Sequence, residues 1–184
     1  MFIQTETTPN PQTLKFLPGR AVLEAGTRFY TGEHMAEESP LAMALFRISG
    51  VNAVFFGSDF VTITKDSTFD WSLLKADILT TLMDFFLSGA PIIQQKTSAP
   101  KAAHSGEEDS DIVKEIKELI EAKVRPAVAQ DGGDIIFHSF VEGIVFLELH
   151  GSCSGCPSST LTLKQGIENM LKHYIPEVQS VEAV

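Results

Sequence analysis

Residues 134–159 read DIIFHSFVEGIVFLELHGSCSGCPSS. Two β-rich runs, Ile135 to Val141 and Ile144 to His150, are separated only by Glu142-Gly143, the signature of a tight hairpin. Cys153-Ser154-Gly155-Cys156 follows directly, and Pro157 presets entry into a helix from about Ser158 to Tyr174. Leu163, Ile167, Met170, Leu171 and Tyr174 form its inward stripe. Pro176 breaks that helix, and Val178 to Val184 reads as a last strand. Upstream, Ile112, Ile116, Leu119, Ile120 and Val124 make an amphipathic stripe that starts at Asp111. Arg125-Pro126 disturbs it and Gly132-Gly133 ends it. The predicted order over 111–184 is therefore α-β-β-α-β.

Before this stretch the composition breaks. Residues 94–110 read QQKTSAPKAAHSGEEDS, small and polar with no apolar period, which predicts a flexible linker. Residues 1–93 form the other unit. Phe2 to Thr7 and Thr13 to Leu17 read as strands around the Thr8-Pro9-Asn10-Pro11 turn. Ser39-Pro40 caps a helix carrying Leu41, Ala44, Leu45 and Ile48, which Gly50 stops. Ala53 to Phe56 and Phe60 to Thr64 make a hairpin over Gly57-Ser58-Asp59. Asp70 caps a second helix with the stripe Trp71, Leu74, Ile78, Leu82 and Phe85, ending at Gly89. The fold expected is α+β: two small α/β-sandwich-like domains, 1–93 and 111–184, joined by the linker 94–110.

Composition removes several function classes. The 184-residue chain is 43% hydrophobic, enough for a buried core. It has 14 Lys and Arg against 24 Asp and Glu, a formal charge of −10 that opposes a nucleic-acid or anionic-membrane partner. No apolar run approaches the roughly 20 residues of a membrane span. A chain opening on Met1 with no basic or apolar leader fits the cytoplasm, with the mitochondrial matrix as the alternative. Nothing resembles a phosphate-binding glycine loop, a Ser/His/Asp triad or a zinc-protease helix, so a carrier is expected rather than an enzyme.

The two cysteines are the whole thiol content, and they sit together. Two thiolates three positions apart hold a metal centre from one side, whereas a tetrahedral zinc or a cuboidal iron–sulfur cluster takes four ligands. Cys153 and Cys156 thus make half a site, and a second copy of the chain is the simplest source of the rest. Their place after a strand and at a helix N-terminus favours thiolate, because unpaired N–H groups lower the thiol pKa. Gly151 and Gly155 let the backbone approach a cluster closely. A thioredoxin-like dithiol pair wants the same motif in the same context, and a buried structural pair is the third possibility. The metal site accounts best for both the cysteine number and the small domain.

Other polar groups read as structure. Asp131-Gly132-Gly133-Asp134 is a helix stop and strand entry rather than a cation loop. His34, His104, His138, His150 and His173 are scattered. His150 is nearest the cysteine loop, and it reads as a solvent-exposed strand-end residue rather than an auxiliary ligand.

The run Arg125-Pro126, Gln130-Asp131-Gly132-Gly133-Asp134-Ile135 and Gly151-Ser152-Cys153-Ser154-Gly155-Cys156-Pro157-Ser158-Ser159 resembles the C-terminal domain of NifU, found in Nfu-type iron–sulfur scaffold proteins. The helix Thr160 to Glu168 fits the same pattern. Thr8-Pro9-Asn10-Pro11, Leu14-Lys15-Phe16 and Phe46-Arg47-Ile48-Ser49-Gly50-Val51 to Gly57 resemble the Nfu N-terminal domain. The resemblance implies a 4Fe-4S cluster bridged between two protomers by Cys153 and Cys156. It further implies a homodimer on cluster binding, upstream cluster-assembly factors as donors, and apo iron–sulfur proteins as clients.

Overall fold

The computed structural model describes residues 2–94, 110–154 and 157–184, the side chains of 157–160 excepted. The chain divides into two compact units, Met1–Thr97 and Ser98–Val184. Most of the segment read as a linker lies outside the described residues.

In the first unit, strand β1 (Gln4–Thr7) and strand β2 (Thr13–Leu17) pair across a polar turn. Asn10 Oδ1 accepts the Gln12 N–H at 3.0 Å, and the Thr8 hydroxyl donates to Asn10 O at 2.9 Å. A short β3 (Arg28–Tyr30) and a 3₁₀ turn at Glu33–Met35 follow; neither is long enough to show a period in the sequence. Helix α1 (Pro40–Phe46) leads to β4 (Val51–Phe56) and β5 (Val61–Lys65), and α2 (Trp71–Ser88) closes the unit. The strands form one antiparallel sheet in the order β1-β2-β5-β4-β3. Phe16, Val54, Phe56 and Ile63 belong to one buried core with Leu41 and Leu45 of α1 and Leu74, Ile78 and Leu82 of α2. The α2 stripe finishes at Phe86, not at the half-buried Phe85, because its buried residues keep a spacing of four.

Ser39 fastens α1 to the end of the unit. Fully buried, it accepts the Ala42 N–H at 3.2 Å and donates to Ile92 O at 2.7 Å. Ser39→Ala leaves both groups unpaired, so thermal or denaturant unfolding should show a loss of about 1–2 kcal/mol.

The second unit begins with α3 (Asp111–Leu119), which passes through a π-helical segment, Ile120–Val124, into α4 (Arg125–Gln130). The buried stripe is Ile116, Ile120, Val124 and Val128, always four apart. At 100° per residue each such step gains about 40°, a drift that α2 carries across its own four buried positions without leaving the α-helix. Here the wider π turn takes up much of the drift, with the Arg125 N–H donating to Ile120 O. Pro126 has no N–H to bind one turn back, which favours the irregular turn at this place.

Strands β6 (Gly133–Val141) and β7 (Ile144–Gly151) form the expected hairpin, with φ of 51° at Glu142 and 83° at Gly143. Helix α5 (Pro157–Tyr174) then crosses back, so β8 (Ser180–Ala183) pairs with β7 in parallel. Ile135, Val145, Leu147 and Val181 of the sheet share a core with Ile167, Leu171 and Ile175. Tyr174, expected inward, is 46% exposed. Its hydroxyl takes a hydrogen bond from Lys123 Nζ at 2.9 Å, and that ammonium lies 4.4 Å from the ring centre. The phenol keeps its polar end wet while Ile175 closes the core. Among the described residues, no helix is long and apolar enough to cross a membrane.

Candidate metal centre

The cysteine loop rests on the start of β6. Gly133 pairs with Gly151 across the hairpin, and Gly151 adopts φ of 65°, the left-handed turn that ends β7. Ser152 ties the loop down: its N–H donates to Gly132 O at 3.2 Å and its hydroxyl to Asp131 O at 2.5 Å. Ser154 N–H returns to Gly151 O at 3.1 Å. A Cβ on Gly133 would lie 2.5 Å from Cys153 Sγ and 2.8 Å from His150 O. The sulfur therefore stands directly on Gly133, where only a glycine leaves room.

Cys153 is 6% exposed and belongs to the core of this unit. Burial pushes its thiol up to about 11. The Ser152 hydrogen bond opposes the rise, while the Asp131 and Asp134 carboxylates add to it. The sequence reading expected the helix N-terminus to lower the thiol. The opposite holds for Cys153 because its Sγ faces the core, where charge loses solvation. Gly155 and Cys156 lie outside the described residues.

The sign of this shift has a consequence for stability. A thiol whose pKa is raised by folding stabilises the fold while it stays protonated. That contribution is complete below the ordinary thiol range and is lost as pH rises from about 9 toward 11. A pH series of denaturant unfolding should show this decline, and Cys153→Ala should flatten it.

A charged frame surrounds the floor of the loop. Asp134, 3% exposed, receives Arg125 through two bonds, Nε to Oδ1 at 2.7 Å and Nη2 to Oδ2 at 2.7 Å. Arg125 Nη1 also donates to both Glu121 oxygens, at 2.9 and 2.7 Å. The Asp134 carboxylate, its hydrogen bonds outweighing partial burial, holds the guanidinium firmly charged. Asp131-Gly132-Gly133-Asp134 does stop α4 and open β6, but Asp134 also anchors this ion pair, a role the sequence reading missed. Its only trace in the sequence is a carboxylate at the first turn of an apolar strand.

His150 corrects a second expectation. Its side chain is only 13% exposed, and Nε2 lies 2.9 Å from Glu148 Oε1. Residues 148 and 150 share a face of β7, so the imidazole lies beside a carboxylate rather than in bulk water. His138 Nδ1 lies 3.3 Å from Ser139 Oγ, and His104 falls outside the described residues. Among the described residues, no group of three or more His, Cys, Asp or Glu side chains is placed to hold a metal ion.

Residues 3–89 match the family model for the scaffold protein Nfu/NifU N terminal, and residues 116–182 match the NifU-like domain. A protein from Homo sapiens named "NFU1 iron-sulfur cluster scaffold homolog, mitochondrial" is 54% identical over 185 residues, covering 100% of this chain and 72% of its own length. The chain belongs to the Nfu family of scaffold proteins. A relative of the same name from Drosophila ananassae is 53% identical across 100% of this chain and 64% of its own length. The Nfu relatives are thus longer, and this chain spans about two thirds of each. A solution structure of a NifU-like protein from Saccharomyces cerevisiae is 29% identical. It covers 52% of this chain and 87% of that one, with a TM-score of 0.48.

Proposed function

We propose that this Nfu-family chain carries an iron–sulfur cluster from the factors that assemble it to the apo-proteins that use it. The observation that carries this reading is identity of 54% along the whole chain with a relative named as an iron–sulfur cluster scaffold homolog. The cluster is cargo, not a resident cofactor. Cys153 and Cys156 are its ligands, and since a 4Fe-4S cluster takes four cysteines, two copies of the chain hold one cluster between them. The chain acts as a carrier and not as a catalyst.

The thioredoxin-like alternative requires an exposed thiol of lowered pKa as its attacking group. Cys153 is buried and pushed the other way, so as it rests in the core the sulfur does not have that character. Residues 111–184 hold both cysteines and serve as the cluster domain. Residues 1–93 have no cysteine and serve to recognise clients or donors, joined to the rest by 94–110. The relatives' names place them in mitochondria, which favours the mitochondrial matrix over the cytoplasm for this chain.

Anaerobic reconstitution with iron and sulfide tests the reading. Visible and Mössbauer spectra, iron content and mass in solution should together give about one four-iron cluster per two chains. A monomer that holds a complete cluster without added thiol would overturn it. A second measurement separates the units. A chain lacking residues 1–93 should load its cluster nearly as well as the whole chain while activating some apo-enzymes more slowly. Equal activation of every client would remove the recognition role.

A further inference from the structure

The turn Asp131-Gly132-Gly133-Asp134 is fastened on two sides. On one side lies the cysteine loop, with Ser152 bonded to Asp131 O and Gly132 O, and Cys153 Sγ seated on Gly133. On the other side lies Arg125, whose planar fork grips the buried Asp134 carboxylate through both oxygens. Asp134 Oδ1 also accepts the Ile135 N–H at 2.8 Å, so this carboxylate fixes the first residues of β6 as well as the helix end. The π segment, Ile120–Val124, ends immediately before Arg125 and keeps Ile120 and Val124 in the core.

We propose that Arg125 and Asp134 are positioning residues for Cys153: their ion pair holds the Gly133 floor in place and so sets how readily the sulfur leaves the core to take iron. Arg125 has no contact with the cargo in this account. It acts through Asp134, Gly133 and the loop. A lysine carries the charge but not the rigid fork, so it fails to hold both carboxylate oxygens. The Glu121 arm is different. Its carboxylate is largely exposed, and its bond with Arg125 is a surface pair on one helix face. The iron-binding half of the proposal rests on the carrier reading above; the control of Cys153 by the clamp does not.

The test uses the full chain with Cys156→Ser, which leaves Cys153 as the one thiol. Its alkylation by iodoacetamide under native conditions reports how often the loop opens. Arg125→Gln and Asp134→Asn should each speed the reaction about tenfold, and the pair together no more than either alone, because both break one contact. Glu121→Gln should change it less than about twofold. Val178→Ala, a cut in the same core away from the loop, should speed it only as far as its loss of global stability requires. Arg125→Lys should behave as the glutamine variant does, and it replaces that variant if glutamine prevents folding. Folded variants that alkylate at the parent rate would overturn the proposal, as would a Val178→Ala chain of matched stability that alkylates as fast as they do. Reconstitution of the same substitutions in the two-cysteine chain gives the second readout: with the seat weakened, iron once bound should be lost to a chelator severalfold more slowly, and faster loss would overturn the link to iron. If the unsubstituted chain itself retains no cluster, the carrier reading fails while the alkylation series still judges the clamp.

Discussion

The 184-residue chain carrying Cys153→Ser is expected to retain less than about a tenth of the iron that the unsubstituted chain retains after reconstitution, because a hydroxyl is a far poorer ligand than a thiolate for such a centre. Cys156→Ser should do the same. The argument for Cys156 rests on ligand number and not on geometry, since one chain brings only two thiols and four are needed. Folding should survive both changes. Serine at 153 places a hydroxyl in an apolar core, at a cost of about 1–3 kcal/mol if it finds no partner. Ile116, Ile120, Leu147 and Leu171 remain to hold the unit together. Circular dichroism would check the fold, and gel filtration would report whether the proposed dimer appears on reconstitution. A double serine variant that takes up iron and sulfide with unchanged spectra would place the cluster elsewhere.

Gly133→Ala should have the second large effect. The added methyl group meets Cys153 Sγ and two backbone atoms, His150 O and Cys153 N, the last at 3.1 Å. A flexible side chain can swing away from such a clash, but a strand and a tied loop cannot do so cheaply. The expected loss is about 1–3 kcal/mol, with the cysteine loop lifted from its floor. Cys153 should alkylate faster, and with its seat lost a bound cluster should pass more slowly to a competing chelator. Gly166→Ala is the matched control. Gly166 lies inside α5 with no atom near its missing Cβ, so alanine there should stabilise the unit by about 0.5–1 kcal/mol. One chemical change at two glycines should therefore move the unfolding midpoint in opposite directions.

These cases show what could be read from the chain alone. The hairpin at Glu142-Gly143 was legible because a two-residue turn between two strand-like runs admits few backbones, and its two positive φ values follow from that. The stripe from Ile116 to Val124 was legible too, but the π segment was not: the same spacing of four occurs in the uninterrupted α2, and the sequence offers only the disturbance at Arg125-Pro126. Motif spacing singled out the two thiols proposed as ligands and told nothing about the rotamer of Cys153, which depends on Gly133, a residue twenty positions away in sequence. The Arg125–Asp134 pair was hidden for a similar reason. Nine residues separate its members, across the end of one element and the start of another, so no periodicity joins them. His150 was misplaced because its strand-end position was weighed above the parity that sets it beside Glu148.

If the chain is the carrier proposed above, the seating of Cys153 bears on how firmly it grips its cargo. When the sulfur returns to its place over Gly133, it regains apolar contacts and gives up a charge that its surroundings oppose. Unloading is thus helped by the empty protein itself, since each chain has a favourable conformation waiting for the ligand it withdraws. The same seat shields a thiol between deliveries from oxidants and stray metal ions, which act on exposed thiolate. A sulfur that is at rest when empty makes a looser hold when full, and a looser hold lets a client with fixed, exposed ligands win the exchange.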